Sequence, residues 1–135
     1  ILLLKDRNHF ILYLNNEIDN DFRLRIEDDL LCWYDTTFKL SNYNKSNCSN
    51  PFIKISKQQI DDGLYVTHWK KGDIVKVDHM TKKISDLFIN NKISNLNKNY
   101  YPILRNQKNE VVWIPNMTKI SDVVDGNFYY LYWQN

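Results

Sequence analysis

The chain contains no alanine, and its 135 residues include only three glycines, three prolines and two cysteines. Gly63, Gly72 and Gly126 stand too far apart for any two to share a loop. Every glycine-rich phosphate cradle is thereby excluded: Walker A, the dinucleotide fingerprint, and the Ser-Gly-Gly-x-Asp-Ser loop of ATP pyrophosphatases. Cys32 and Cys48 lack the short paired spacing of a zinc or redox motif. Two cysteines do not make a secreted disulfide framework, so a reducing cytoplasm is the expected compartment. His9, His68 and His79 have no i, i+4 spacing and no zincin glutamate, so no metal and no cofactor is expected in this chain. The longest apolar runs, Ile1–Leu4 and Phe128–Trp133, fall far short of the roughly 18 residues of a membrane span, and no membrane partner is expected. The first residue is Ile and no signal peptide can be read, so the expectation is a piece cut from a longer protein.

What the chain does have is 43% hydrophobic and 14% aromatic residues against 25% charged, which excludes disordered and fibrous classes. Its length suits one core, and residues 1–135 are read as a single domain. The net charge of +2 says little, but its distribution says more. Residues 1–62 carry eight basic and ten acidic side chains, whereas residues 63–135 carry ten basic and six acidic. Any face that binds a polyanion should therefore lie in the second half. The abundance of Asn, Lys and Ile resembles the coding bias of an AT-rich genome, so isolated lysines carry little weight.

Short β-type runs dominate the first half: Phe10–Leu14, Phe22–Ile26, Leu30–Tyr34 and Phe52–Ile55, with alternation in the second and fourth. Asn15-Asn16, Asp19–Asp21, Asp28-Asp29 and Ser41–Pro51 between them carry turn chemistry. After Asp62-Gly63, Leu64–Trp69 and Ile74–Val77 read as a hairpin closed by Lys70–Asp73. The period then changes. Ile84, Leu87, Phe88 and Ile93 approach helical spacing over Lys83–Ile93, with Thr81 or Ser85 as cap, and Ser94–Asn97 opens a second short helix that ends before Pro102. Strands return at Ile103–Arg105, Glu110–Ile114 and Phe128–Trp133. The last should be central in its sheet or covered on both faces, because six consecutive apolar side chains on an open edge would aggregate. This order predicts a β-rich α+β domain with a short helical insert around residues 82–100.

Asp28-Asp29 and Asp61-Asp62 look like carboxylate dyads but read better as turn residues. Cys32 or Cys48 with His68 offers a thiolate pair, although buried structural cysteine is the commoner state. What remains is cationic and aromatic. Lys70 and Lys71 beside Trp69, Lys82 and Lys83 at the expected helix start, Lys92 and Lys98 in the helical segment, and Arg105 before a turn are candidates for contacts to phosphates. The other reading of these lysines is solvated surface. Phe128–Trp133 could stack on bases, yet it reads more simply as a buried strand.

Four blocks in order, Trp69-Lys-Lys-Gly-Asp-Ile74, Thr81-Lys-Lys-Ile-Ser-Asp-Leu-Phe-Ile-Asn-Asn-Lys-Ile93, Tyr101-Pro-Ile-Leu104 and Val111-Val-Trp-Ile-Pro115, resemble the C-terminal domain of tRNA(Ile)-lysidine synthetase. The likeness covers about Leu64 to Trp133, and the first half is joined to it by continuity. Departures are Asn90 for the usual Asp, Ser94 for Pro, Lys98 for Arg and Asn116 for Gly, with Thr67 and Trp69 where Arg is common. The resemblance implies a three-layer β/β/α fold. It also implies a parent ligase that uses ATP, Mg and lysine to modify the wobble cytidine of an isoleucine tRNA. Its adenylating machinery would lie outside this chain, which would serve as a non-catalytic domain gripping tRNA around the acceptor stem. Lys70, Lys71, Lys82, Lys83, Lys92 and Lys98 are the expected contacts. A protein-interaction or self-association domain, for instance a homodimer burying Phe128–Trp133, is the alternative.

With no phosphate loop to assemble, the chain incubated with ATP, tRNA and lysine should release no AMP. Detectable turnover by thin-layer chromatography contradicts this reading.

Overall fold

The computed structural model describes residues 22–42, 50–77, 79–119 and 128–134. The expected strand Phe10–Leu14 lies outside the described residues, as does most of the Ser41–Pro51 turn. In chain order the elements are β1 (Arg23–Arg25), β2 (Leu30–Trp33), β3 (Thr36–Ser41), β4 (Phe52–Ser56), α1 (Lys57–Asp62), β5 (Leu64–Thr67), β6 (Ile74–Val77) and β7 (Met80–Lys83). There follow α2 (Ile84–Asn90), α3 (Asn95–Lys98), β8 (Ile103–Asn106), β9 (Val111–Ile114), β10 (Thr118–Lys119) and β11 (Phe128–Gln134). The fold is a β-rich α+β arrangement, as the strand and helix order predicts.

Among the described residues three antiparallel sheets form: β1-β5-β8-β9-β10, β2-β3-β11-β4, and the hairpin β6-β7. Side chains on successive strand residues alternate between faces, and in the five-stranded sheet both faces are apolar. Leu64, Val66, Leu104 and Val112 join Trp33, Phe38, Ile53, Ile55, Leu131 and Trp133 in one core shared with the four-stranded sheet. On the other side, Ile103, Val111 and Ile114 pack with Val75, Ile84 and Phe88 from the hairpin and α2. The layer order is sheet, sheet, then hairpin with helix. Phe88 is fully buried and meets Trp69 and Tyr101 edge-on or tilted; emptying such a position typically costs about 3–5 kcal/mol.

Strand β11 is interior, paired to β3 on one edge and β4 on the other. The strand offered above for subunit contact is thus used inside the sheet. Tyr34, read as the end of a strand, instead opens the turn to β3 at φ 53°. An aromatic side chain is uncommon there, and the buried hydrogen bond between its hydroxyl and His68 Nε2, 2.6 Å, holds it.

The expected pairing of Leu64–Trp69 with Ile74–Val77 does not occur. β5 pairs β1 and β8, while β6 pairs β7, because the turn at Lys70–Asp73 sends the chain out of the large sheet. Helix α2 begins at Ile84, with Lys83 as its N-cap residue and no side-chain cap. Thr81 belongs to β7 and Ser85 lies within the helix, so neither caps it. The backbone carbonyl of Asp73 accepts from Ile84 N–H instead, at 3.1 Å. Ser94 does cap α3, accepting from Asn97 N–H at 3.0 Å. Asp61-Asp62 ends a helix absent from the expectation. Its N-terminus is a capping box in which Ser56 Oγ accepts from Gln59 N–H (3.0 Å) and Gln59 Oε1 accepts from Ser56 N–H (2.8 Å).

Tyr101 ties the entry to β8 to the end of β9, its hydroxyl donating to the Pro115 carbonyl at 2.6 Å. Burial pushes its phenol up to about 12, partly offset by a hydrogen bond from the Asn116 side chain. A folded pKa above the unfolded value of 10.0 means stability is intact below pH 10 and is lost as pH rises toward 12. In alkaline denaturation, Tyr101→Phe should give up about 1 kcal/mol at neutral pH and lose stability less steeply between pH 10 and 12 than the parent.

Candidate nucleic-acid interface

The segment from Lys70 to Lys83 carries five lysines and two aspartates. Asp73 is the first of these, and it is neutralised at short range. Its Oδ2 accepts from Arg105 Nη2 at 2.6 Å and from Lys70 N–H at 2.5 Å, while its own N–H donates to the Lys70 carbonyl at 2.9 Å. This bracket closes the turn that displays Lys70 and Lys71, both exposed. Arg105, expected as a surface contact, is only 6% exposed and is a structural cation. Its Nε donates to Thr67 Oγ1 at 2.8 Å, and Thr67 Oγ1 donates onward to the Ile103 carbonyl at 3.0 Å.

Lys82 and Lys83 are both exposed on β7 rather than within a helix. The register pairs Ile74 with Lys83, Val75 with Lys82 and Lys76 with Thr81. Adjacent strand residues face opposite ways, so Lys83 shares the outer face with Ile74 and, diagonally, with Lys76. Lys82 shares the face of buried Val75 and extends past it into solvent. Lys76 was not anticipated; its place in the alternation of Ile74–Val77 was the signal that could have found it.

Lys92 and Lys98 do not lie on one helix. Lys92 occupies the turn after α2 at φ 58°, with its N–H donating to the Ile89 carbonyl at 3.0 Å. Lys98 ends α3, half-buried, with Nζ 4.6 Å from the centre of the Trp69 ring. That cation–π contact joins α3 to the loop bearing Lys70 and Lys71. The structure therefore gathers Lys70, Lys71, Lys76, Lys82 and Lys83 on one loop and hairpin, with Lys98 tied to that loop through Trp69.

No family model matches the chain. Curated tRNA(Ile)-lysidine synthases do resemble it. That of Bacillus licheniformis is 32% identical over 72 residues, which is 52% of this chain and 15% of that protein. That of Clostridium perfringens is 28% identical over 115 residues, 82% of this chain and 24% of that protein. A crystal structure of the TILS C-terminal domain superposes with a TM-score of 0.70 at 18% identity, covering 84% of this chain and 95% of that one. The chain resembles tRNA(Ile)-lysidine synthases in sequence and the TILS C-terminal domain in fold. It spans between 15% and 24% of the length of these curated relatives. Because 115 aligned residues exceed the number from Gly63 to Asn135, the likeness to the Clostridium perfringens protein must reach into the first half.

Two departures from the C-terminal domain pattern become intelligible. Asn116 stands at φ 66°, the left-handed region that Asn tolerates better than other non-glycine residues, so it can occupy a glycine's place. Ser94 stands at φ −66°, the value proline is fixed at, and adds a side-chain cap that proline lacks.

Removing the Asp73 carboxylate should leave the Arg105 guanidinium buried without its counter-charge. Asp73→Ala is expected to lower stability by about 3–5 kcal/mol in urea unfolding, and the double replacement with Arg105→Met to recover a large part of that loss. A single variant with unchanged midpoint contradicts the assigned role.

Proposed function

We propose that the chain is the tRNA-gripping C-terminal domain of a tRNA(Ile)-lysidine synthase and is itself non-catalytic. The parent, on this reading, is a cytoplasmic ligase whose ATP, Mg and lysine chemistry on the wobble cytidine belongs to residues outside this chain. The observation that carries the proposal is the lysine-rich loop and hairpin at residues 70–83, standing out from a fold shared with that C-terminal domain. Lysines on a turn and a two-stranded hairpin suit backbone phosphates, which position a nucleic acid without reading its sequence. A-form RNA offers side chains little sequence to read in its deep groove, so shape and phosphate contact are the physically sensible mode for a tRNA stem. Lys70, Lys71, Lys82, Lys83, Lys92 and Lys98 form the proposed contact set, with Lys76 added by the strand register. No helix among the described residues is long and apolar enough to cross a membrane.

Binding of isoleucine tRNA should weaken with salt, each neutralised phosphate contributing roughly −0.7 to −0.9 to the slope of log K against log salt. Replacing Lys82 and Lys83 together by Ala should flatten that slope by about one to two units. The unfolding midpoint should hold, since exposed lysines usually matter by less than about 0.5 kcal/mol. An unchanged slope and affinity would assign these lysines to solvated surface.

A further inference from the structure

Alternation along β1 and β5 sorts their side chains between the two faces of the five-stranded sheet. Leu24 and Val66, opposite each other in the register, turn to the core shared with the four-stranded sheet. Arg23, Arg25, Tyr65 and Thr67 therefore stand on the other face, where Ile103, across from Thr67, packs against the layer of hairpin and α2. Arg23 is exposed there, on a strand that is the edge of the sheet among the described residues. It belongs to residues 1–62, whose charge balance is acidic, so composition directs attention away from it.

The two arginines of β1 are used differently. Arg25 is tied within the molecule: its Nη2 donates to the Asp61 carbonyl at 2.9 Å, and its Nε lies 3.9 Å from the Glu27 carboxylate. Arg23 instead lies over Tyr65, its guanidinium carbon 4.2 Å from the centre of the ring. That guanidinium donates no hydrogen bond and forms no ion pair among the described residues. Stacking occupies the face of the guanidinium plane and leaves its in-plane N–H fork available. It also reduces the rotamer freedom that binding would otherwise have to remove. A guanidinium held in this way suits two oxygens of one phosphate. Arg23 lines the same cleft as Lys70 and the buried Arg105, which places it beside the turn that carries Lys70 and Lys71.

We infer that Arg23 is a further RNA contact, taking one backbone phosphate with its fork, and that Tyr65 is the residue that positions it. The inference rests on the function proposed above and extends the contact face from the turn and hairpin onto β1. The face is then drawn from both halves of the chain. A lysine at position 23 would carry the same charge but neither the fork nor the planar group that stacks on the ring. An arginine contact of this kind is therefore separable by experiment from a surface that is merely cationic.

Binding of isoleucine tRNA to the full chain would be measured across a salt series for the parent and for variants at positions 23, 25 and 65. Arg23→Ala should weaken binding roughly tenfold and flatten the slope of log K against log salt by roughly 0.7 to 0.9. Arg23→Lys should keep the slope yet bind about two- to fivefold more weakly, the stack being lost. Tyr65→Leu should weaken binding by a similar factor with the slope unchanged, and Tyr65→Phe, which keeps the ring, should bind as the parent does. Arg25→Ala removes a neighbouring charge that is already tied and should leave the slope as it is. Unfolding midpoints read alongside identify any variant that loses the fold; Arg23→Lys, exposed and charge-conserving, carries the test if Tyr65→Leu does. An Arg23→Ala variant with the parent's affinity and slope overturns the inference, as does an Arg23→Lys variant indistinguishable from the parent. If replacing Lys82 and Lys83 still flattens the slope in that case, the proposed function stands without Arg23. A chain that binds no tRNA at any salt concentration overturns both.

Discussion

Asp73 fastens three parts of the molecule at once. Its carboxylate takes the buried Arg105 guanidinium from β8 and the Lys70 amide from the turn, and its carbonyl receives the first amide of α2. The turn, the hairpin and the helix are therefore set against the five-stranded sheet by one residue. A buried ion pair of this kind is not by itself a strong source of stability, because desolvation of both charges offsets much of their attraction. Its value lies in position. The chain leaves the large sheet at this point, and every lysine of the proposed contact set except Lys92 is carried by the turn, the hairpin or the helix tied to them through Trp69.

Around that fastening the energetics are those of a sheet covered on both faces. The five-stranded sheet contributes to two separate apolar clusters, one against the four-stranded sheet and one against α2 and the hairpin. The first takes Trp33, Tyr34, Phe38, Trp113 and Trp133; Trp33 and Trp113 are fully buried and Trp33 Nε1 donates to the Tyr100 carbonyl. The lysines project from the thinner third layer, so a polyanion could meet them without disturbing the main core.

Much of the strand order was legible because β-branched and aromatic runs bounded by Asn, Asp and Ser are a local signal. The helix at Lys57–Asp62 has a local signal in its Ser56-x-x-Gln59 box, but its short polar run lacks the apolar periodicity that marks a helix in sequence. Pairing was not legible. Leu64–Thr67 and Ile74–Val77 look like hairpin partners, yet each pairs with other strands, and the bracket between Asp73 and Arg105 at that turn joins residues 32 apart. The same holds for the site. The blocks around Lys82-Lys83 mark their segment through a family resemblance, whereas the burial of Arg105 and the cation–π contact of Lys98 depend on contacts distant in sequence.

The central claim is that the turn and hairpin at residues 70–83 are the face presented to tRNA. Hydrogen exchange measured by mass spectrometry with and without isoleucine tRNA tests it most directly. Slowed exchange concentrated in peptides spanning residues 68–84, with β3, β4 and β11 unchanged, is the predicted result. Protection confined to β4 and β11, with residues 68–84 exchanging as in the free chain, would contradict it.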